Sequence, residues 1–253
     1  MIEIKNVKKS FDGNTVLKGI SAVFEAGKAN LIIGQSGSGK TVLMKCIIGL
    51  HRIDNGEIRY DGRNLPDMRF KEMKLLRREV GMLFQGSALF DSQTVLENVC
   101  YPLRMFSNMT EKEIAQRAKF CLGRVNLEPK AYELFPSEIS GGMQKRAAIA
   151  RAIALNPRYL FCDEPNSGLD PFTALVIDRL IKEITEEYNI TTIVNTHDMN
   201  SVMEIGDSII FIRQGEKEWE GNRHQILHSN NQYLNDFVFA SNLFKKVKEK
   251  YSK

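Results

Sequence analysis

Between Gly34 and Thr41 the chain reads "GQSGSGKT", three glycines, a cation and three hydroxyls within eight residues. Glycines free a backbone to wrap phosphate oxygens, Lys40 can reach the β and γ phosphates of a nucleotide, and the Thr41 hydroxyl suits Mg²⁺. The pattern carries weight only between a strand and a helix, and "NLIIG" before it and "TVLMKCIIGL" after it predict both. "YLFCDEP" is an apolar run ending in two acids. Asp163 is placed to hold Mg²⁺, while Glu164, one residue on, points differently and can polarise a water for attack on a γ-phosphate. His197 follows "TTIVNT" at another strand end, where it can hydrogen-bond a γ-phosphate oxygen, and Gln85 closes "VGMLFQ" with an amide oxygen suited to a metal or a water.

A second anion site is written into "EISGGMQKR". Glycine weakens a helix interior, yet Gly141 and Gly142 open what reads as a well-made helix. Unpaired N–H groups and partial positive charge gather at a helix start, and small residues there let an anion come close. This site has no lysine like Lys40. One chain thus holds two phosphate sites of different kinds.

The elements that must position these residues follow from apolar spacing. "IEIKNV", "VLKGISAVF" and "GEIRYDGRNL" predict a β-rich N-terminal layer with turns at "DGN" and Asp-Gly. After "VGMLFQ" the pattern is helical for roughly seventy residues; it includes "TEKEIAQRAKFCLGRV", with capping-box spacing from Thr110 to Glu113, and "SGGMQKRAAIARAIALNP", which ends before Pro157. "YLFCDEP" and "TTIVNTH" predict buried parallel strands separated by a helix over "FTALVIDRLIKEITEEY", and "DSIIFIRQGEKEWEG" predicts a hairpin. The apolar runs fall short of the roughly 18 residues of a membrane span. The start does not resemble a signal peptide. Four cysteines without a C-x-x-C pair suggest buried or reduced thiols. The net charge of +4 lies wholly in residues 241–253, which hold five lysines and one glutamate, so 30 basic and 30 acidic side chains balance elsewhere. That balance argues against a nucleic-acid surface.

"GQSGSGKT", Gln85, "ISGGMQ", "YLFCDEP", "SGLDP" and "NTHD" stand in the order and spacing of ATP-binding cassette (ABC) ATPases, a resemblance that covers roughly residues 1 to 225. It implies an α/β fold, a P-loop NTPase core of the ABC ATPase type with an antiparallel β layer and a helical insert. The implied organisation is one ABC ATPase domain over 1–240, with RecA-like core and β layer at 1–85 and 158–225 and a helical subdomain at about 86–157. A helical, lysine-rich extension would follow at 226–253.

By the same resemblance the ligands are ATP and Mg²⁺. Phe11 stacks on adenine, and Val16, Gly34, Gln35, Ser36, Gly37, Ser38, Gly39, Lys40, Thr41 and Val42 complete the ATP contacts. Thr41, Gln85 and Asp163 hold the metal, Glu164, His197 and Gln85 are catalytic, and Asp170 forms the D-loop. Ser140, Gly141, Gly142 and Met143 form a signature that serves the ATP of a partner cassette, so a homodimer with two sandwiched ATPs is implied.

The signature departs from the usual "LSGGQ" at Ile139 and Met143. Together with "GMLFQGSALFDSQTVLENVCYPLR" and "SGGMQKRAAIARAIALNPRYLFCDEP" it resembles the ATPase subunit of the Mla (maintenance of lipid asymmetry) phospholipid transporters, which work with MCE-domain proteins. The expectation is a cytoplasmic ATPase, peripheral on the inner face of the cell membrane, that drives a separate permease. The family docks its permease between Gly86 and Arg104, where Leu89, Phe90, Val95, Tyr101 and Leu103 read equally well as core. Transporters of amino acids, metals or drugs share every catalytic residue. Soluble ABC ATPases that act on nucleic acid or ribosomes usually carry two cassettes or a long coiled coil, and this sequence shows neither.

The tail has an apolar stripe at Phe237, Ala240, Phe244, Val247 and Tyr251, at helical spacing, with lysines around it. Docking on protein across a dimer is favoured over a membrane contact.

Overall fold

The computed structural model describes residues 1–240, in two compact units: Met1–Met68 with the segment from Thr191 onward, and Arg69–Ile190. The chain opens with strands β1 (Ile2–Phe11) and β2 (Asn14–Phe24), then β3 (Ala29–Ile33) leads through the glycine loop into helix α1 (Lys40–Ile48), and β4 (Asn55–Tyr60) and β5 (Arg63–Asn64) follow. The second unit contains α2 (Phe70–Arg78), β6 (Val80–Leu83), α3 (Val95–Phe106), α4 (Glu111–Arg124), α5 (Gly141–Ile153), β7 (Tyr159–Asp163) and α6 (Pro171–Glu187). The first unit resumes with β8 (Thr191–Thr196), α7 (Met199–Ile205), β9 (Ser208–Arg213), β10 (Glu216–Gly221) and α8 (Gln232–Val238).

In the first unit an antiparallel layer runs β2-β1-β4-β5, the β-rich layer expected from the N-terminal alternation. Beside it β3 pairs in parallel with both β8 and β9, and β10 turns back on β9 through Gln214-Gly215, with φ of 50° and 82°. Two positive φ values suit the type I′ turn whose twist matches a hairpin. Every residue of β3 and of β8 is buried. Strands covered on both faces read as apolar runs without alternation.

In the second unit β6 and β7 pair in parallel, and α5 lies on β6 so closely that a Cβ on Gly81 would sit 2.4 Å from the Ala152 carbonyl oxygen. That contact joins β6 to the helices of the same unit. Thr94 and Thr110 cap α3 and α4 in reciprocal capping boxes with Glu97 and Glu113. Two helices had no sequence expectation. α2 is a nine-residue, charge-rich helix that buries only Leu76, and α7 is a seven-residue helix started by the Asp198 side chain.

All four cysteines are free and buried, and burial pushes the Cys46 and Cys121 thiols up to about 11. Among the described residues no helix is long and apolar enough to cross a membrane. Phe237 stacks on Phe211 at 5.4 Å and Ala240 is exposed, while Phe244, Val247, Tyr251 and the tail lysines lie outside the described residues.

Candidate functional site

In the first unit, β3 delivers the chain into a loop that only glycine can form at its first position. A Cβ on Gly34 would lie 2.2 Å from the Ile212 carbonyl oxygen and 2.8 Å from Ser38 Oγ. Gly39 caps α1 with φ 107°, so the first helical residues are Lys40, Thr41 and Val42 and their N–H groups open toward the loop. Lys40 is only 6% exposed, and its Nζ donates to the Gly34 carbonyl at 2.7 Å and the Gln35 carbonyl at 3.1 Å. The ammonium is thereby held inside the loop. Ser38 Oγ is buried without a hydrogen-bond partner. Leaving such a group unmatched costs about 1–3 kcal/mol, which a phosphate oxygen accepting from it would remove. The loop therefore fits a polyphosphate.

Phe11 ends β1 with 37% of its surface exposed, the His51 ring edge-on at 5.3 Å and Lys9 Nζ 5.1 Å from its centroid. Val16 in β2 is half-buried. His197 is exposed just past β8, where the Asp198 N–H donates to Thr196 Oγ1 at 3.0 Å and Asp198 Oδ1 caps α7 at the Asn200 N–H, 2.8 Å away. This sets the histidine on a short turn with fixed ends.

In the second unit, β7 ends at Asp163 and the next residue, Glu164, has φ 47°. A left-handed non-glycine residue costs of the order of 1–3 kcal/mol and persists where its surroundings hold it. The backbone thus changes direction between Asp163 and Glu164. Ser167 N–H donates to the Glu164 carbonyl at 3.2 Å, and Gln85 Nε2 donates to Ser167 Oγ at 3.2 Å. The Gln85 amide is thus linked to the turn at Glu164 through Ser167, the first residue of the "SGLDP" motif.

Ser140 Oγ accepts from the Met143 N–H at 3.3 Å and caps α5, so Gly141 and Gly142 open the helix. The two glycines differ in cause. Gly141 is exposed, with Leu169 Cδ2 at 3.7 Å from an added Cβ, whereas a Cβ on Gly142 would fall 2.6 Å from Thr173 Cγ2. Thr173 cannot turn away freely, because its Oγ1 donates to Asp170 Oδ2 at 2.5 Å. Asp170 caps α6 through the N–H groups of Phe172 and Thr173, both at 3.0 Å. The Thr173 hydroxyl and these N–H groups hold the Asp170 carboxyl below its ordinary value.

Two cations that the sequence reading passed over complete this half. Lys145 of α5 is buried and donates to the Gln85 carbonyl, and burial lowers its pKa. Arg151 donates to the carbonyls of Ala88 at 2.6 Å and Ser87 at 2.7 Å. Basic residues inside an otherwise alanine-rich helix, "KRAAIAR", were the available signal.

The second unit also has an apolar groove of about 350 Å³, lined by Phe84, Phe90, Tyr101, Pro102 and Phe106 among others. Phe90 and Tyr101 are 40% and 38% exposed and their rings lie 4.7 Å apart. Buried Asn98 fixes the loop by accepting from the Phe90 N–H and donating to the carbonyls of Phe90, Gln93 and Thr94. Of the residues expected between Gly86 and Arg104, Val95 and Leu103 are core, Leu89 is half-buried, and Phe90 and Tyr101 face outward.

A phosphate loop with an internal lysine, a carboxylate pair at a strand end and a lysine-free helix mouth define a nucleotide-binding cassette. The family model for ABC transporters matches residues 17–167, and the chain belongs to that family. Over 257 residues it is 36% identical to the methionine import ATP-binding protein MetN of Campylobacter jejuni, covering 95% of this chain and 76% of that protein. Over 229 residues it is 38% identical to the intermembrane phospholipid transport system ATP-binding protein MlaF of Haemophilus influenzae, covering 90% and 86%. The solved dimeric structure of MJ0796, a bacterial ABC transporter cassette, is similar at TM-score 0.81 and 36% identity, covering 88% of this chain and 99% of that one. The same cassette in a post-hydrolysis state with ADP and Pi is similar at TM-score 0.80 and 35% identity, covering 88% and 99%. The chain is an ATP-hydrolysing cassette of the ABC type.

Proposed function

We propose that two copies of this chain sandwich two ATP molecules and use their hydrolysis to drive a separate membrane permease. The observation that carries this is the presence of one lysine-bearing phosphate loop at α1 and one lysine-free helix mouth at α5 in the same chain. The second kind of site can stabilise a phosphate that another loop already holds, so each copy supplies half of each site. Lys40 anchors the phosphates, Glu164 polarises the attacking water, and His197 hydrogen-bonds the γ-phosphate. Thr41, Gln85 and Asp163 offer Mg²⁺ the oxygen donors it prefers, and the ion would neutralise charge on the β and γ phosphates.

Mixing two inactive variants tests the division of labour. Lys40→Ala removes the anchor, and Gly141→Asp places a charge at the helix mouth where the structure leaves room for a side chain. In a mixed dimer both defects fall in one composite site and the other is intact, so ATP-dependent closure should return on mixing. Closure that never returns, with wild-type controls closing, would refute the sandwich.

The cargo we propose is phospholipid moved between bacterial membranes, with an MCE-domain protein as a further partner and the cassette peripheral on the inner face of the cell membrane. Support comes from the likeness to MlaF and from the sequence on either side of Gln85 and around Met143. The permease's docking element would seat in the groove between Phe90 and Phe106. The likeness to MetN favours a second reading, amino-acid import. Purification of the native complex separates them: bound phospholipid and lipid-responsive ATPase activity support the first, and a complex carrying only a soluble amino acid supports the second.

A further inference from the structure

The backbone after Gln85 adopts a conformation that its own residues do not favour. Ser87 and Ala88 stand in succession at φ 62° and 49°, and an alanine has no polar side chain to stabilise a left-handed turn. Local bonds are few: the Ser87 N–H reaches the Phe84 carbonyl at 2.9 Å and the Ala88 N–H the Gly86 carbonyl at 2.7 Å. The carbonyls of this loop are instead met from α5. Lys145 takes Gln85, and Arg151 takes Ser87 and Ala88 with two separate nitrogens. From the other side Ser167 holds the Gln85 amide. An ammonium buried in a helix rich in alanine and isoleucine is costly, and a methionine would fill the same space without that cost. The hydrolysis chemistry described above uses neither cation.

We infer that Lys145 and Arg151 are positioning residues for ATP hydrolysis, holding the backbone from Gln85 to Ala88 so that the Gln85 amide is presented in one orientation. Both act through the loop and neither touches nucleotide. The helix that carries them is capped by Ser140, so the clamp joins the signature helix to the Gln85 loop within one unit. Arg151 and Ala88 also line the apolar groove, so a partner seated there would meet the clamp directly. The inference rests on the reading of Gln85 as a functional side chain.

The test measures steady-state ATPase kinetics of the full chain with ATP and Mg²⁺, for Lys145→Met, Lys145→Gln, Arg151→Met and Gln85→Ala, singly and with each clamp change placed in the Gln85→Ala background. Thermal unfolding and binding of a fluorescent ATP analogue establish that each variant is folded. Lys145→Met and Arg151→Met should lower kcat at least tenfold and shift KM for ATP less than twofold, because the phosphate loop is untouched. Lys145→Gln, which keeps an N–H donor, should retain most of the activity, and it carries the test with Arg151→Met if Lys145→Met does not fold. In the Gln85→Ala background the clamp changes should cause no further loss, an outcome that a general loss of stability would not give. Folded clamp variants with wild-type kcat, or losses that multiply with that of Gln85→Ala, would overturn the inference while leaving Gln85 in its role. A Gln85→Ala chain with wild-type kcat would instead remove Gln85 from the reaction, and the inference with it.

Discussion

Replacing Gly142 by alanine introduces one carbon atom 2.6 Å from Thr173 Cγ2, well inside the distance at which two carbons repel. The methyl cannot rotate away without breaking the 2.5 Å bond from Thr173 Oγ1 to Asp170. Overpacking of this kind costs about 1–3 kcal/mol, and in a chain of this size each kcal/mol lowers Tm by roughly 2–4 °C. Thr173→Ser removes the offending methyl and keeps the hydroxyl. The nearest atom to the new Cβ is then Thr173's own Cβ position at 3.9 Å, an ordinary contact. In that background Gly142→Ala should be neutral or slightly stabilising, since alanine is favoured over glycine in a helix by up to about 1 kcal/mol. The cycle should therefore show a coupling of at least about 1 kcal/mol, above the few tenths expected of independent sites. Thermal and urea unfolding without nucleotide, at matched protein concentration, measure it. A Gly142→Ala chain as stable as wild type, or a penalty that persists in Thr173→Ser, would refute the steric argument.

Further predictions concern the chemistry and the D-loop. Glu164→Gln should bind ATP with near-normal affinity yet hydrolyse it very slowly and accumulate a closed dimer, whereas Lys40→Ala should lose productive binding; equilibrium binding and single-turnover assays distinguish the two. The Asp170 carboxyl is held below its ordinary value of 3.8, so its contribution to stability is complete above that value and is lost as pH falls through the depressed one. The Tm advantage of wild type over Asp170→Asn should be constant above about pH 5 and shrink only in more acid solution. An advantage that grows on acidification would reverse the sign of the argument.

Signals that act over a few residues of chain are legible in the amino-acid order itself. The strand-loop-helix around Lys40, the boxes from Thr94 to Glu97 and from Thr110 to Glu113, the cap at Ser140 and the turn at Gln214-Gly215 all depend on hydrogen bonds or backbone angles within about four positions. The Thr94 box and the short, charge-rich α2 are equally local, though neither is among the expectations above. The ABC family likewise follows from local motifs in a fixed order.

Contacts between segments distant in the chain belong to the tertiary structure alone. Apolar spacing marks Val95, Leu103, Phe90 and Tyr101 alike, and only packing decides that the first two are core and the last two line a groove. Gly142 reads as room for an anion, yet the fold sets it against Thr173, a residue on another helix. Nothing local to Lys145 and Arg151 names their partners, and the fold sends them to carbonyls some sixty positions earlier in the chain. Sequence periodicity fixes which face of an element turns inward, because a side chain's direction is set by its own backbone. It does not name the neighbour on that face, since the neighbour is chosen by how whole elements pack.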